Sequence, residues 1–463
     1  MNRKNAWILL AVSAVLLFAF CLRRDAFWLP HWKGDQSHYA VLAMKLDKQG
    51  FAGYNLREVN IGNKILSEDP PVELVFFRPG KPGDQGDLLR VLTAVGQGYY
   101  DEPLHFRAPL FSWILMESHR FFAGDAPFYV ACASNLGEKV RTVKPRVILQ
   151  AQFWAAAVPV FFNLCVILLT FFLGWKLYDE HTGLWAAFLM ASNPVGVTLA
   201  YRLLCEDAMV FFLALSVLLY LIFYPKKNFA GLFSAGVAAG LAILSKQTAG
   251  LILIAVGGYT IFLRRGLKFF KRIFSPELII YGVAAILVSA PWFWKVYRTF
   301  GTPLHIPGSV SSGMSQDVTG WFQSVSHRPP PFLFFSIGVI FLSPLLGLAL
   351  GTLRSFSRQI SDAEKTGPET LLWLWVLVFF FFITEPWHIL ELLADQEHRF
   401  FYMAYPALAI LAASVIERLR LRWNVRAKNP WIPYLAVLFL FGINAWWGIP
   451  ASMKSIFQNN LLF

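Results

Sequence analysis

The chain has 463 residues, of which 56% are hydrophobic and only 15% are charged. A soluble globular protein carries about 25% charged residues, so this composition argues against a soluble protein and indicates a membrane protein. The formal net charge of +13 lies in short basic clusters that mostly follow apolar segments. This arrangement is typical of cytoplasmic loops and argues against a nucleic-acid-binding patch.

The first apolar segment is Ala6–Leu22, which follows a basic Met-Asn-Arg-Lys sequence. It has no small-residue cleavage site, and its far end runs directly into Arg23-Arg24-Asp25. We therefore expect an uncleaved membrane helix whose N-terminus lies in the cytoplasm. Residues 23–146 are then expected to form one long external loop.

This loop opens with a short amphipathic stretch, residues 34–46. Tyr39, Leu42 and Leu46 recur at the spacing of one helical face. A short amphipathic helix beside a membrane segment is expected to lie at the interface with its apolar face in lipid. Asp35, at the start of this helix, is either an N-cap or a catalytic base at the membrane surface.

The remainder of the loop predicts an insert and a second helix. Residues 50–107 are rich in Gly and Pro and contain two β-prone runs, Val72–Phe77 and Leu88–Val95. These runs predict a small insert with a hairpin. The apolar stretch that follows Arg107 is interrupted by Glu117, so it is too short to span a bilayer. We expect it to form a second interfacial helix.

Apolar spans follow one another through residues 147–463. They lie near 147–175, 184–200, 208–224, 229–245, 249–263, 277–293, 331–351, 370–384, 401–416 and 431–449. With the first helix they make about eleven transmembrane helices of the usual length. The predicted fold class is an all-α polytopic membrane protein with three parts: a first helix (1–22), an external loop with interfacial helices and a small mixed insert (23–146), and a multi-helix domain (147–463).

Alternation of the spans places a set of charged residues at the outer membrane surface. Charges at this level are costly, so they are candidates for function. Asp35 and Asp207 have a structural alternative as helix caps, and Lys246 has one as a snorkelling side chain. Two carboxylates are able to take a proton from an incoming hydroxyl or amine, and basic side chains are able to hold a departing phosphate. The set comprises Asp35, Arg107, Arg202, Glu206, Asp207, Lys246, Arg298, His388 and Arg399.

Several motifs lie at these positions: Gly34-Asp35-Gln36-Ser37-His38-Tyr39-Ala40, Ala108-Pro109-Leu110-Phe111-Ser112-Trp113, Tyr201-Arg202 with Glu206-Asp207, Gly240-Leu241-Ala242-Ile243-Leu244-Ser245-Lys246, and His398-Arg399-Phe400-Phe401. Together they resemble the GT-C superfamily of integral-membrane glycosyltransferases. Within it, the bacterial relatives of protein O-mannosyltransferases and of the lipid A aminoarabinose transferase are the most similar branch. Gln36 departs from the pattern, since the family often has a second acid there, and the insert at 51–106 matches nothing in it.

The resemblance implies a glycosyltransferase that takes a sugar from a polyprenyl-phosphate donor on the extracytoplasmic face. It implies Asp35 as the catalytic base and Asp207 as a second catalytic acidic residue. It assigns contacts with the donor phosphate to Arg107, Lys246 and Arg399. The further candidates are Arg202 for the phosphate, and Tyr39, Glu206 and His388 without a defined role.

Cofactor, acceptor and location complete the expectations. The resemblance implies no metal for a monophosphate donor, although related oligosaccharyltransferases hold a divalent metal with external acids, so Glu206-Asp207 leave that alternative open. The acceptor is a lipid, a glycan or a protein. The chain contains no Asn-x-Ser/Thr sequon, which agrees with a bacterial inner membrane and an outward-facing site.

Two other classes of function remain open at this stage. A polytopic transporter or lipid flippase without chemistry also has many helices, but it predicts charges in mid-membrane or broken helices in matching halves. The charges of this chain gather at one interface instead. A structural membrane subunit whose external insert binds a partner is the third interpretation.

Overall fold

The computed structural model describes fourteen parts of the chain, and within them the protein is mostly helical. The predicted spans near 331–351 and 431–449 lie outside the described residues. The described parts are residues 3–28, 39, 42–43, 46–47, 50–54, 74–77, 88–91, 107–122, 129–132, 140–142, 145–264, 269–300, 363–383 and 402–426.

The helices follow the apolar runs of the sequence. They are α1 (Arg3–Arg23), α2 (Pro109–Phe122), α3 (Pro145–Leu177), α4 (Glu180–Ala191), α5 (Pro194–Ala200), α6 (Glu206–Phe223), α7 (Phe229–Ser245), α8 (Leu251–Leu263), α9 (Phe269–Ile273), α10 (Pro276–Phe300), α11 (Ala363–Ile383) and α12 (Tyr405–Arg426). Short 3-10 turns cover Arg24–Trp28, Gly50–Gly53, Gln247–Gly250 and Tyr402–Ala404.

Several of these helices have the length and composition of membrane spans. Among the described residues, four such segments are Ala6–Arg23, Ala156–Leu177, Glu206–Phe223 and Pro276–Arg298. Shorter apolar helices cover Phe229–Ser245, Gln247–Leu263 and Glu369–Phe379. The protein is therefore an integral membrane protein, as the composition predicts, while the count of about eleven spans stays a prediction.

The predicted span 184–200 is not one helix but two, α4 and α5. Asn193 caps α5, because its Oδ1 accepts a hydrogen bond from the backbone N–H of Gly196 at 3.1 Å. Pro194 occupies the first turn of α5, where its missing N–H costs nothing, but it could not continue α4. This break brings the backbone of α5 against α3, where Asn163 Nδ2 donates to the carbonyl of Gly196 at 2.9 Å.

Helices α7 and α10 pack closely through two glycines of α7. A Cβ added at Gly236 would lie 2.2 Å from the carbonyl oxygen of Tyr281, and one added at Gly240 would lie 2.6 Å from Cβ of Val288. Small residues four apart permit such close approach between membrane helices. Because α7 ends at Ser245, this packing also fixes the position of the residue that follows, Lys246.

The stretch between α1 and α3 contains a four-stranded sheet in the order β3-β1-β2-β4. The strands are β1 (Leu74–Phe77), β2 (Leu88–Val91), β3 (Tyr129–Cys132) and β4 (Val140–Thr142). The β1 and β2 strands lie in the two runs that the sequence predicts and pair antiparallel. The sequence analysis does not predict β3 and β4, which come from residues further along the chain. The β3 strand pairs parallel with β1, and the β4 strand pairs antiparallel with β2.

The amphipathic face of the first loop helix packs on protein rather than on lipid. Tyr39, Leu42 and Leu46 are helical, as the spacing predicts, and all three side chains are buried. The ring of Tyr39 meets that of Phe111 in α2 edge-on, with the ring centroids 5.1 Å apart. The expectation that this face lies in lipid is therefore wrong, because the helix has a partner in α2.

Candidate active site

The candidate site lies where the C-terminal ends of α1 and α7 meet the N-terminal end of α6. Residues of the first loop cover this end of the bundle, among them Tyr39 and Arg107. The sequence-predicted residues Glu206, Asp207 and Lys246 come together here. Arg202 lies half-buried in the turn between α5 and α6, where its backbone N–H donates to the carbonyl of Leu199 at 2.9 Å. Asp35, His388 and Arg399 lie outside the described residues, and their roles stay predictions.

A first group of side chains joins the loop to the bundle. The guanidinium carbon of Arg107 lies 4.8 Å from the ring centroid of Tyr39, within the range of a cation–π contact. The Tyr39 hydroxyl and Cys205 Sγ are 2.8 Å apart. The hydroxyl of Tyr54 donates to the backbone carbonyl of Arg107 at 3.1 Å and holds that segment in place.

Tyr39 and Cys205, the two weak acids in contact with each other, carry no charge at neutral pH. Burial raises the pKa of the Tyr39 phenol well above its ordinary value. Burial also raises the pKa of the Cys205 thiol to about 12, with the neighbouring Glu206 carboxylate as the second cause. Since the neutral phenol and thiol add no negative charge, Arg107 remains the charged member of this group.

The second group is the ion pair between Lys246 and Glu206. Lys246 Nζ lies 2.9 Å from Glu206 Oε1, and the side chains are 20% and 3% exposed respectively. Cys205 Sγ donates a weak hydrogen bond to the other carboxylate oxygen at 3.8 Å. Lys246 follows α7 in an extended conformation, which carries its side chain across to the first turn of α6. Lys246 therefore does more than snorkel to the membrane surface, because it forms an ion pair with a buried carboxylate.

The third group places Asp207 in a network of buried polar groups. Asp207 is 1% exposed, and its Oδ1 accepts a hydrogen bond from Asn163 Nδ2 at 2.7 Å. Tyr402 also hydrogen-bonds to the Asp207 side chain. Asp207 does not cap α6, because Cys205 holds the cap position and no side chain makes the cap hydrogen bond. The helix-cap alternative for Asp207 is therefore wrong.

Arg23 is the basic counterpart of Asp207 in this third group. Its Nε donates to Asn163 Oδ1 at 2.6 Å, so the amide of Asn163 bridges the guanidinium and the carboxylate. Arg23 Nη1 also donates to the carbonyls of Ala19 and Ala191, at 2.9 and 3.0 Å. The sequence analysis does not assign Arg23, Asn163 or Tyr402 to the site. A polar asparagine inside the apolar run 147–175 is the signal that could have found the network.

An apolar groove reaches Gln247, the residue that follows Lys246. It has a volume of about 840 Å³ and runs between α10 and the segment that joins α7 to α8. Gln247 and Ile243 line it, so the groove begins within one helical turn of Lys246. The other lining residues are Gly250, Leu253, Ile286, Leu287, Ser289, Ala290, Pro291, Phe293, Trp294 and Tyr297.

The two adjacent acids of α6 bind different partners. Glu206 pairs with Lys246, whereas Asp207 is held by Asn163. In the part of the chain that the structure describes, no group of three or more His, Cys, Asp or Glu side chains has the arrangement of a metal site. The described residues therefore give these two carboxylates no common metal-binding geometry.

A known sequence family matches the part of the chain that carries this site. The family described as "Dolichyl-phosphate-mannose-protein mannosyltransferase" matches residues 146–294, a stretch that includes Glu206, Asp207 and Lys246. No curated protein matches the chain.

Solved structures share the fold over nearly the whole chain. The oligosaccharyltransferase AglB of Archaeoglobus fulgidus, in complex with an inhibitory peptide and a dolichol-phosphate, aligns with 100% of this chain at a TM-score of 0.53 and 14% identity. ArnT from Cupriavidus metallidurans, bound to undecaprenyl phosphate, aligns with 99% at a TM-score of 0.52 and 14% identity. The alignments take in 56% of the AglB chain and 72% of ArnT, so this chain spans little more than half of the archaeal enzyme.

The family match and the shared fold confirm the resemblance drawn from the motifs. The chain has the fold of the GT-C superfamily of integral-membrane glycosyltransferases. Within that superfamily its sequence match is to the protein mannosyltransferase family, and ArnT is among its structural neighbours.

Proposed function

We propose that the protein transfers a sugar from a polyprenyl-phosphate donor to an acceptor on the extracytoplasmic face of the membrane. The observation that carries this proposal is the position of Lys246, which pairs with a buried glutamate and directly precedes Gln247 in the lining of an apolar groove. A lipid phosphate has the matching chemistry, because its anionic head needs cations and its isoprenoid tail needs an apolar surface. The neighbours in complex with dolichol-phosphate and undecaprenyl phosphate support the same donor class.

Basic residues hold the phosphate in this proposal. Lys246 reaches it from the end of α7, and its side chain is the more exposed partner of its ion pair. Arg107 and Arg202 lie at the same end of the bundle, and Arg399 follows from the family resemblance. A guanidinium binds two phosphate oxygens at once, whereas an ammonium acts as a point charge. The isoprenoid tail lies in the groove beside Gln247.

The proposed reaction is a direct displacement at the anomeric carbon of the sugar. The hydroxyl or amine of the acceptor forms the new glycosidic bond while the bond from the anomeric carbon to the phosphate oxygen breaks. Asp35 takes the proton from the acceptor as general base, and the polyprenyl phosphate leaves with the electron pair on its oxygen. The acceptor is a lipid, a glycan or a protein, and the proposed location is a bacterial inner membrane.

We propose a positioning role for Asp207 in place of the second catalytic carboxylate that the resemblance implies. The carboxylate is 1% exposed, and it accepts hydrogen bonds from the buried side chains of Asn163 and Tyr402. It holds the first turn of α6, next to the Glu206 that pairs with Lys246. A group that acts on the acceptor needs hydrogen-bond reach to it, whereas the Asp207 carboxylate is buried and engaged by Asn163 and Tyr402.

The test is consumption of donor by the purified protein in detergent. A panel of polyprenyl-phosphate sugars is offered with a mixed pool of envelope acceptors, and released polyprenyl phosphate is measured. We expect the wild type to consume one donor and Lys246→Met to lose roughly a hundredfold in kcat/KM, as expected for loss of a phosphate contact. Arg264→Met is the matched control. Arg264 forms a 2.8 Å ion pair with Glu277 and lies at the end of α8 that is remote from Lys246. If the wild type consumes no donor, the transporter or flippase interpretation replaces the proposed glycosyl transfer.

A further inference from the structure

The ion pair of Lys246 and Glu206 places a carboxylate beside the proposed phosphate position. Lys246 Nζ lies 2.9 Å from Glu206 Oε1. The carboxylate is almost wholly buried, whereas a fifth of the Lys246 side chain is exposed. A ligand that approaches Lys246 therefore meets the negative charge of Glu206 across a short distance.

Glu206 is fixed more firmly than its partner. It lies in the first turn of α6, and its second oxygen accepts from Cys205, whose sulfur contacts the Tyr39 hydroxyl. Lys246 stands in an extended segment after α7 on a four-carbon stem. When an anion arrives, the ammonium is thus the partner that turns towards it, and the carboxylate stays behind.

We propose that Glu206 tunes the affinity of the site for lipid phosphate and speeds the release of the product. This inference rests on the proposed function. A phosphate bound to Lys246 would lie roughly 6 Å from the Glu206 carboxylate, close enough for like charges to repel appreciably in a partly buried site. Glu206 thus makes the free energy of phosphate binding at Lys246 less favourable, by an amount proportional to the negative charge of the phosphate.

Donor and product differ in that charge. The sugar donor is a phosphodiester with one negative charge, whereas the product is a monoester with roughly 1.5 to 2 negative charges at pH 7. Repulsion from Glu206 therefore acts more strongly on the product than on the donor. The site retains a usable affinity for donor and avoids being blocked by the lipid phosphate that each turnover leaves behind.

Two lipids that differ only in phosphate charge test this inference. The probes are undecaprenyl phosphate, a monoester, and undecaprenyl methyl phosphate, a diester, with undecaprenol as the uncharged control. Binding to the purified full-length protein is measured for the wild type and for Glu206→Gln. We expect the variant to bind the diester roughly tenfold tighter and the monoester roughly thirtyfold to a hundredfold tighter. Turnover with donor should fall as product release slows.

Glu277→Gln is the matched control, since Glu277 is equally buried and pairs with Arg264 at 2.8 Å. It is expected to leave both affinities unchanged. Equal or weaker binding of both lipids by Glu206→Gln, with wild-type thermal unfolding, would overturn the inference while the proposed function stands. A wild type that binds neither lipid better than undecaprenol would overturn the proposed function, and the inference with it.

If Glu206→Gln does not fold, Glu206→Asp serves instead. It keeps the charge but withdraws it by one methylene from Lys246. We expect a smaller gain in affinity for both lipids, again larger for the monoester. A change of the same size for monoester and diester would contradict the proposed role, because it would not depend on phosphate charge.

Discussion

Replacing Asp207 with alanine tests whether this carboxylate holds the fold together or takes part in the chemistry. The change removes the acceptor of hydrogen bonds from Asn163 and Tyr402. It also removes the negative charge that faces Arg23 across the Asn163 amide. A hydrogen bond to a charged group contributes about 1.5–3 kcal/mol. We therefore expect the free energy of unfolding to fall by about 1.5–3 kcal/mol.

The assay is thermal unfolding of the purified protein in detergent, with donor turnover measured in parallel. Asp47→Ala is the control, because Asp47 pairs with Arg120 at 2.7 Å where the side chains are 31% and 49% exposed respectively. An exposed pair contributes about 0–1 kcal/mol, so this control should unfold close to the wild type. If Asp207→Ala unfolded like Asp47→Ala and lost only turnover, Asp207 would act on the substrate, and its assignment as a positioning residue would be wrong.

Two further predictions concern packing and thiol reactivity. Gly236→Val should disrupt the contact between α7 and α10 and lower the unfolding temperature strongly, because even a Cβ there would lie 2.2 Å from a backbone oxygen of Tyr281. Gly257→Val, where nothing lies within 4 Å, is its control, and equal unfolding temperatures of the two variants would contradict the packing. Cys205, left as the single cysteine, should resist maleimide at pH 7 and react after denaturation, because its raised pKa of about 12 leaves almost no thiolate. Rapid labelling of the native protein would contradict its burial.

The sequence predicts the parts of the fold that depend on local pattern. Long apolar runs gave most of the helices in their correct places, because a membrane span is defined by its own composition. The spacing of Tyr39, Leu42 and Leu46 gave the buried face of the first loop helix. The break at Asn193 was missed, although Asn-Pro is a local signal, because the apolar residues on both sides continue the run.

The sequence does not predict which polar groups meet across helices. Asp207 and Glu206 are neighbours in the chain, yet one binds Asn163 of α3 and the other binds Lys246 after α7. Nothing in the local pattern decides between a cap, a catalytic group and a buried bridge, since each has the same carboxylate at the start of a helix. Arg23 shows the same limit, because its partner Asn163 lies 140 residues away.

The most direct test of the proposed function is sugar transfer from a radiolabelled polyprenyl-phosphate sugar to a pool of envelope acceptors, with wild type compared with Asp35→Asn. Asparagine keeps the shape of the side chain but cannot take the acceptor's proton. We predict that the wild type transfers label and that the well-folded variant does not. Full transfer by Asp35→Asn would remove Asp35 as the base, and no transfer by the wild type from any donor would contradict glycosyl transfer itself.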